Sequence, residues 1–137
     1  MSSDAPPPQV WPTLRAADAH GLIRFLVDVL GFRETAVYPE GELVMHAELA
    51  WPPGGGVMLG SAREDDAFAL QPGSFGAYVV TDDPESVYRR AVDAGAEIAR
   101  ELHTTDYGSR DFTVRDPEGN WWAFGTYRGE PPQPNQS

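Results

Sequence analysis

The feature that most constrains this chain is an internal repeat, in which one order of structural signals occurs twice within 137 residues. In the first copy, Pro12 to Ala16 reads as a short strand, and Asp18 reads as a helix cap whose carboxylate can accept from free backbone amides. Leu22, Phe25, Leu26, Val29 and Leu30 then recur at helical spacing, and Gly31 ends the run. In the second copy Phe75 to Val80 is the strand and Asp83 the cap. Pro84 follows at the first helical position, where a missing N–H leaves no bond unmade. Val87, Tyr88, Ala91 and Val92 supply the apolar stripe and Gly95 the stop. Aligning Asp18 on Asp83 also superposes Arg24 on Arg89, and Val27 and Asp28 on Val92 and Asp93.

The shared order continues past the helices. Arg33 to Val37, Leu43 to Leu49, the turn WPPGGG and Val57 to Ser61 follow Gly31; Glu97 to Glu101, Arg110 to Arg115, the turn DPEGN and Trp121 to Thr126 follow Gly95. Gly/Pro clusters between apolar runs are hairpin signals, so each half predicts strand, helix, strand, strand, strand. The expected fold is α+β, with two tandem βαβββ modules over residues 10–61 and 74–127, a linker over 62–73, and proline-rich disordered tails over 1–9 and 128–137. A chain of this length has room for one domain, or for two small modules sharing a core.

Charge and composition narrow the partners. Ten Lys+Arg against 21 Asp+Glu give a formal net charge of −11, which repels phosphate backbones and argues against nucleic acid binding. The same charge attracts a cationic ligand if it lines a groove, and serves solubility if it is spread over the surface. No apolar stretch reaches the length of a membrane span, and MSSDAPPPQV lacks the basic-then-apolar pattern of a signal peptide. A cytoplasmic protein with no membrane partner is therefore expected. The absence of cysteine removes disulfides, thiolate nucleophiles and Cys-ligated zinc.

The most specific segment is DYGSRDFTVRDPEGNWWAFGTY, from Asp106 to Tyr127. With HAEL at His46 to Leu49 and the stretch TLRAADAHGLIRFLVDVLGF, it resembles the vicinal oxygen chelate superfamily of glyoxalase, bleomycin-resistance and extradiol dioxygenase proteins, over about residues 11–127. The resemblance implies two βαβββ modules curling a mixed sheet around a cleft, and a homodimer whose clefts lie within or between chains. It also implies four strand positions where metal-dependent members place His, Gln or Glu. Those positions fall here on Trp11, Met58, Gly76 and Ala123, none of which offers a side chain suited to a divalent cation. Their neighbours Val10, Pro12, Val57, Leu59, Phe75 and Ala77 are equally unsuited.

His46 and Glu48 share a strand face and remain an alternative pair, as metal ligands or as base and partner. The competing reading makes His46 a strand residue hydrogen-bonded to a neighbour or to water. His103, expected in a loop, and His20, in a first helical turn, are expected to be solvated. If Ala123 faces the cleft, strand alternation turns Trp121 and Gly125 the same way and sends Trp122 and Phe124 under a helix. The same logic turns Trp11, Thr13 and Arg15, and Gly76, Tyr78 and Val80, toward the cleft. Such walls suit a flat aromatic molecule, with stacking adding ~0.5–1.5 kcal/mol per ring pair. Trp51 either guards the cleft or forms a dimer contact. Asp111 pairs with Arg110 at the rim unless Arg110 anchors the final hairpin.

The expected binding set is therefore Trp11, Thr13, Arg15, His46, Trp51, Tyr78, Asp111 and Trp121. The expected function is binding without metal or other cofactor, in the manner of the bleomycin-resistance-like branch. The ligand would be an aromatic antibiotic or natural product, cationic if the acidic groups line the cleft, and would be sequestered. The alternative is a metal-dependent lyase, isomerase or dioxygenase with a displaced site around His46 and Glu48.

Overall fold

The computed structural model describes residues 7–64 and 70–131. The expectations for residues 1–6, 65–69 and 132–137 lie outside the described residues. The first half runs β1 (Thr13–Ala16), α1 (Ala19–Asp28), β2 (Arg33–Glu40), β3 (Leu43–Ala50) and β4 (Gly56–Ser61). The second runs β5 (Gly76–Val80), α2 (Pro84–Asp93), β6 (Glu97–Thr104), β7 (Arg110–Arg115) and β8 (Trp121–Gly125). They form two four-stranded mixed sheets, ordered β1-β4-β3-β2 and β5-β8-β7-β6, each with its first strand parallel to its last.

The repeat holds at the level of single residues. Asp18 caps α1 by accepting from the Gly21 amide, and Asp83 caps α2 by accepting from the Ser86 amide. Thr13 pairs with Met58 across β1 and β4, and Tyr78 with Ala123 across β5 and β8; each member of the second pair lies 65 residues beyond its counterpart. Strands β2 and β6 run three residues further than the sequence indicated, to Glu40 and Thr104. Both are exposed edge strands with register shifts against β3 and β7, so bulges interrupt the alternation that would have marked their length.

One apolar core serves both halves. Leu14, Ala47, Leu49 and Leu59 pack beneath Leu22 and Leu26 of α1, and Phe112, Val114, Trp122 and Phe124 beneath Val87 and Ala91 of α2. Phe32 from the first half meets Trp122 from the second at 5.4 Å between ring centroids, and Trp51 meets Phe124 at 5.7 Å.

Polar contacts clamp the halves together. Glu118, in the DPEGN turn, accepts from the amides of Ala17 at 2.7 Å and Asp18 at 2.8 Å, covering free donors at the start of α1. Arg90 of α2 donates to the Asp28 carbonyl at the other end of α1, at 2.9 Å. Both ends of α1 are therefore held by the second half. Glu118→Ala is expected to lower stability by about 1 kcal/mol, as loss of a cap does, shifting the urea midpoint without changing the slope of the transition.

The turn itself is organised by Asp116, which is 5% exposed. Its Oδ1 accepts from the amides of Glu118 and Asn120, and its Oδ2 from Asn120 Nδ2 and from the Trp122 indole at 2.8 Å. The Asn120 carbonyl oxygen Oδ1 in turn accepts from the Phe75 amide, fixing the entry to β5.

Candidate ligand-binding site

Each sheet has one face against its helix and one face free of it. On the free face of the second sheet, Tyr78, Asp111, Thr113 and Ala123 line a cavity of ≈ 410 Å³, with Arg100 and His103 from β6 and the following loop to Tyr107 as its far wall. Alternation along β8 falls as the sequence indicated, with Trp122 and Phe124 fully buried and Trp121 48% exposed. The Arg115 guanidinium lies 4.9 Å from the centre of the Trp121 ring, and it is oriented by the Gly119 carbonyl and by Glu97 at 3.5 Å.

A polar cluster lies at the edge of this cavity. Tyr78 donates its hydroxyl to Asp111 Oδ1 at 3.1 Å, Ser109 Oγ donates to the same oxygen, and the Tyr127 amide donates to the Tyr78 oxygen at 3.0 Å. Asp111 stands opposite Gly125 in the β7–β8 ladder, and a Cβ on Gly125 would overlap both Asp111 Oδ1 and the Tyr78 hydroxyl. Partial burial raises the Tyr78 pKa above the ordinary phenol value. The carboxylate of Asp111 adds to this, while hydrogen bonds from Ser109 and the Tyr127 amide oppose it. Tyr78 therefore remains a protonated donor at neutral pH.

The free face of the first sheet carries Thr13, Arg15, Met58, His46 and Glu48. His46 Nε2 and Glu48 Oε2 are 2.9 Å apart, and Tyr38 stacks on the imidazole with centroids 6.1 Å apart. Of the four positions implied for metal ligands, Met58 lies beside Thr13, Ala123 beside Tyr78 and Gly76 beside Trp121, while Trp11 precedes β1. Among the described residues no three His, Cys, Asp or Glu side chains gather where they could hold a metal ion. The side chains at these positions do not fit a divalent cation.

The eight expected binding residues are thus divided among three places. Thr13, Arg15 and His46 stand on the first free face, and Tyr78, Asp111 and Trp121 on the second. Trp51 borders a separate cavity of ≈ 440 Å³ between the halves, lined also by Phe32, Val57, Ala77 and Val80. Trp11 packs beside Gly56 at the same end of the molecule. Trp51 is not a loose loop aromatic. Its indole donates to the Val80 carbonyl at 2.9 Å, and its ring packs against Phe32 and Phe124.

The rim pair of Arg110 and Asp111 does not form, because consecutive strand residues point to opposite faces. Arg110 instead donates to Glu85 at 3.1 Å and to Thr104, anchoring the hairpin and holding the Glu85 carboxyl below its usual pKa. His103 is not in a loop. Pairing of β6 with β7 carries the strand through it, opposite Asp111 and into the cavity wall. Ser109 escaped sequence reading; alternation places Gly125 on the face of Trp121 and Ala123, but does not reveal its close approach to Asp111 and Tyr78.

Comparison with known proteins places these observations in context. The sequence profile of the Glyoxalase/Bleomycin resistance protein/Dioxygenase superfamily matches residues 9–124. No protein of curated function matches the chain. Among solved structures, TioX from Micromonospora sp. ML1 is similar with a TM-score of 0.74 at 29% identity, over 87% of this chain and 98% of that one. TnmS3, an antibiotic binding protein from Streptomyces sp. CB03234, has a TM-score of 0.67 at 20% identity, over 92% and 98% of the two chains. A glyoxalase/bleomycin resistance protein from the same strain gives 0.65 at 22% identity, over 83% and 96%. The last two likenesses speak for the fold alone.

Proposed function

The chain belongs to the Glyoxalase/Bleomycin resistance protein/Dioxygenase superfamily, and we propose that within it this protein binds and sequesters a flat aromatic small molecule, such as an antibiotic or related natural product, without transforming it. The observation that carries this reading is the free face of the second sheet, where Tyr78, Thr113 and Ala123 line a cavity and Trp121, two residues from Ala123 along β8, is left 48% exposed beside it. Covering apolar area yields roughly 25 cal/mol per Å², so a half-exposed indole with Arg115 over its ring, near a tyrosine and two small residues, favours a ring-shaped occupant. The absence of suitable donors at the four metal positions supports binding over metal catalysis.

Each free face offers one wall of a cleft. A homodimer in which a second copy supplies the opposite wall completes it, in the cytoplasm where a diffusible compound would be intercepted. No helix among the described residues is long and apolar enough to cross a membrane.

Tryptophan-fluorescence titration against a panel of cationic glycopeptide, quinone and enediyne-type antibiotics tests the proposal, and saturable quenching by at least one is expected. Trp121→Ala should weaken that binding by about tenfold or more, on the order of 1–3 kcal/mol, with an unchanged melting temperature. A panel without quenching, or an unaffected variant, would remove the support for this site.

A second reading rests on the His46–Glu48 hydrogen bond of 2.9 Å, which presents an acid–base pair on the other free face. Stoichiometric zinc, nickel, manganese or iron surviving dialysis of protein purified without chelator would favour this enzymatic reading and overturn sequestration.

A further inference from the structure

We infer that Asp111 is the charge-reading residue of this cavity, so that its preferred occupant is a cationic aromatic molecule with a charged N–H on or beside the ring. The inference rests on the binding reading above and specifies the chemistry of the ligand. Asp111 is 9% exposed, yet it lines the cavity of ≈ 410 Å³. Both of its side-chain donors, Tyr78 and Ser109, converge on Oδ1. Among the described residues no group donates to Oδ2, and no side-chain oxygen sealed from solvent lacks a partner. Oδ2 is therefore the oxygen left open.

With Oδ1 engaged by two donors, a ligand N–H entering the cavity meets the open oxygen of a largely buried carboxylate. A charged donor gains about twice what a neutral one does. Tyr78 cannot supply a competing negative charge, since it stays protonated. The other charge-bearing groups on this wall are Arg100, Asp106 and His103, the last directly opposite Asp111 in the β6–β7 ladder. Asp111 is the one anionic group here that is held on a strand and largely withdrawn from water, where its field is least screened. Gly125 keeps that place clear, because a side chain there would overlap the oxygen that Tyr78 and Ser109 hold.

The test compares two planar probes, 9-aminoacridine, a cation at neutral pH, and acridine, its uncharged counterpart. Wild-type protein is expected to bind the cation at least about tenfold more tightly. Asp111→Asn, which keeps an oxygen for Tyr78 and Ser109, is expected to bring the two probes within about twofold of one another, chiefly through weaker binding of the cation. A preference for the cation that persists in Asp111→Asn overturns the inference, as does equal binding of both probes by the wild type. Loss of both probes in equal proportion assigns Asp111 a structural role and overturns it as well.

Should the variant fail to fold, the wild-type preference in about half-molar salt decides the matter. Attraction by the diffuse surface charge collapses there, whereas pairing with a withdrawn carboxylate persists. Failure of the binding reading itself is distinguishable, because neither probe would then depend on Trp121.

Discussion

Asp116→Ala is expected to destabilise the protein by about 3–5 kcal/mol, the loss that follows when a buried acceptor is removed and several neutral donors remain unpaired. Four donors converge on this one carboxylate: the amides of Glu118 and Asn120, the Asn120 side chain and the Trp122 indole. Alanine would leave the indole N–H without a partner inside the core, since Trp122 is fully buried. The consequences spread, because Asn120 holds the Phe75 amide and Glu118 holds the start of α1. Domains of this size are stable by roughly 5–15 kcal/mol, so the variant should be largely unfolded well below the wild-type midpoint. Asp116→Asn should recover only part of the loss, because its amide would face the donors of Asn120 and Trp122. Urea denaturation followed by circular dichroism measures both. A cost under about 1 kcal/mol for the alanine variant would mean that the turn is held by something else.

The second large effect is expected from Gly125→Ala. Adding a methyl group there overlaps Asp111 Oδ1 and the Tyr78 hydroxyl, so the carboxylate must rotate or β8 must move away from β7. Overpacking of this kind costs about 1–3 kcal/mol. The physical cause makes the effect conditional: with Asp111→Ala in the background, one of the two obstacles is removed and only the Tyr78 hydroxyl remains, so the same substitution should cost less. A double-mutant cycle from thermal or urea unfolding reads that coupling directly. Additive costs would place the obstacle elsewhere in the strand.

The sequence disclosed those parts of the structure that depend on neighbours in the chain. Asp18 and Asp83 cap their helices as their positions indicated, and the two modules superpose on that frame. The alternation of Trp121, Trp122, Ala123 and Phe124 also separated outward from inward residues, because a strand packed on one face must bury every second side chain.

Less was legible wherever a partner is remote. Trp51 finds its acceptor 29 residues away and Glu118 its donors about 100 residues away, and nothing local distinguishes such a tryptophan from a loop aromatic. Bulges concealed the ends of β2 and β6, and with them the position of His103 in the cavity wall. Asp111 could have been separated from Arg110 by alternation alone. Its setting between Ser109, Tyr78 and a glycine without a side chain depends on three-dimensional packing. The division of the expected binding residues among two free faces and the cavity between the halves likewise follows from how the sheets are arranged, which residue spacing does not encode.

Amide chemical-shift mapping during titration with 9-aminoacridine tests the central claim most directly, since it reports where an aromatic ligand binds and not merely whether one does. Perturbations are expected to concentrate on Thr113, Ala123 and the segment from His103 to Tyr107, which line the cavity on the second sheet, and on Trp121 beside it. Shifts gathered instead at Gly54 to Val57 and Thr81, around the cavity between the halves, would contradict the account.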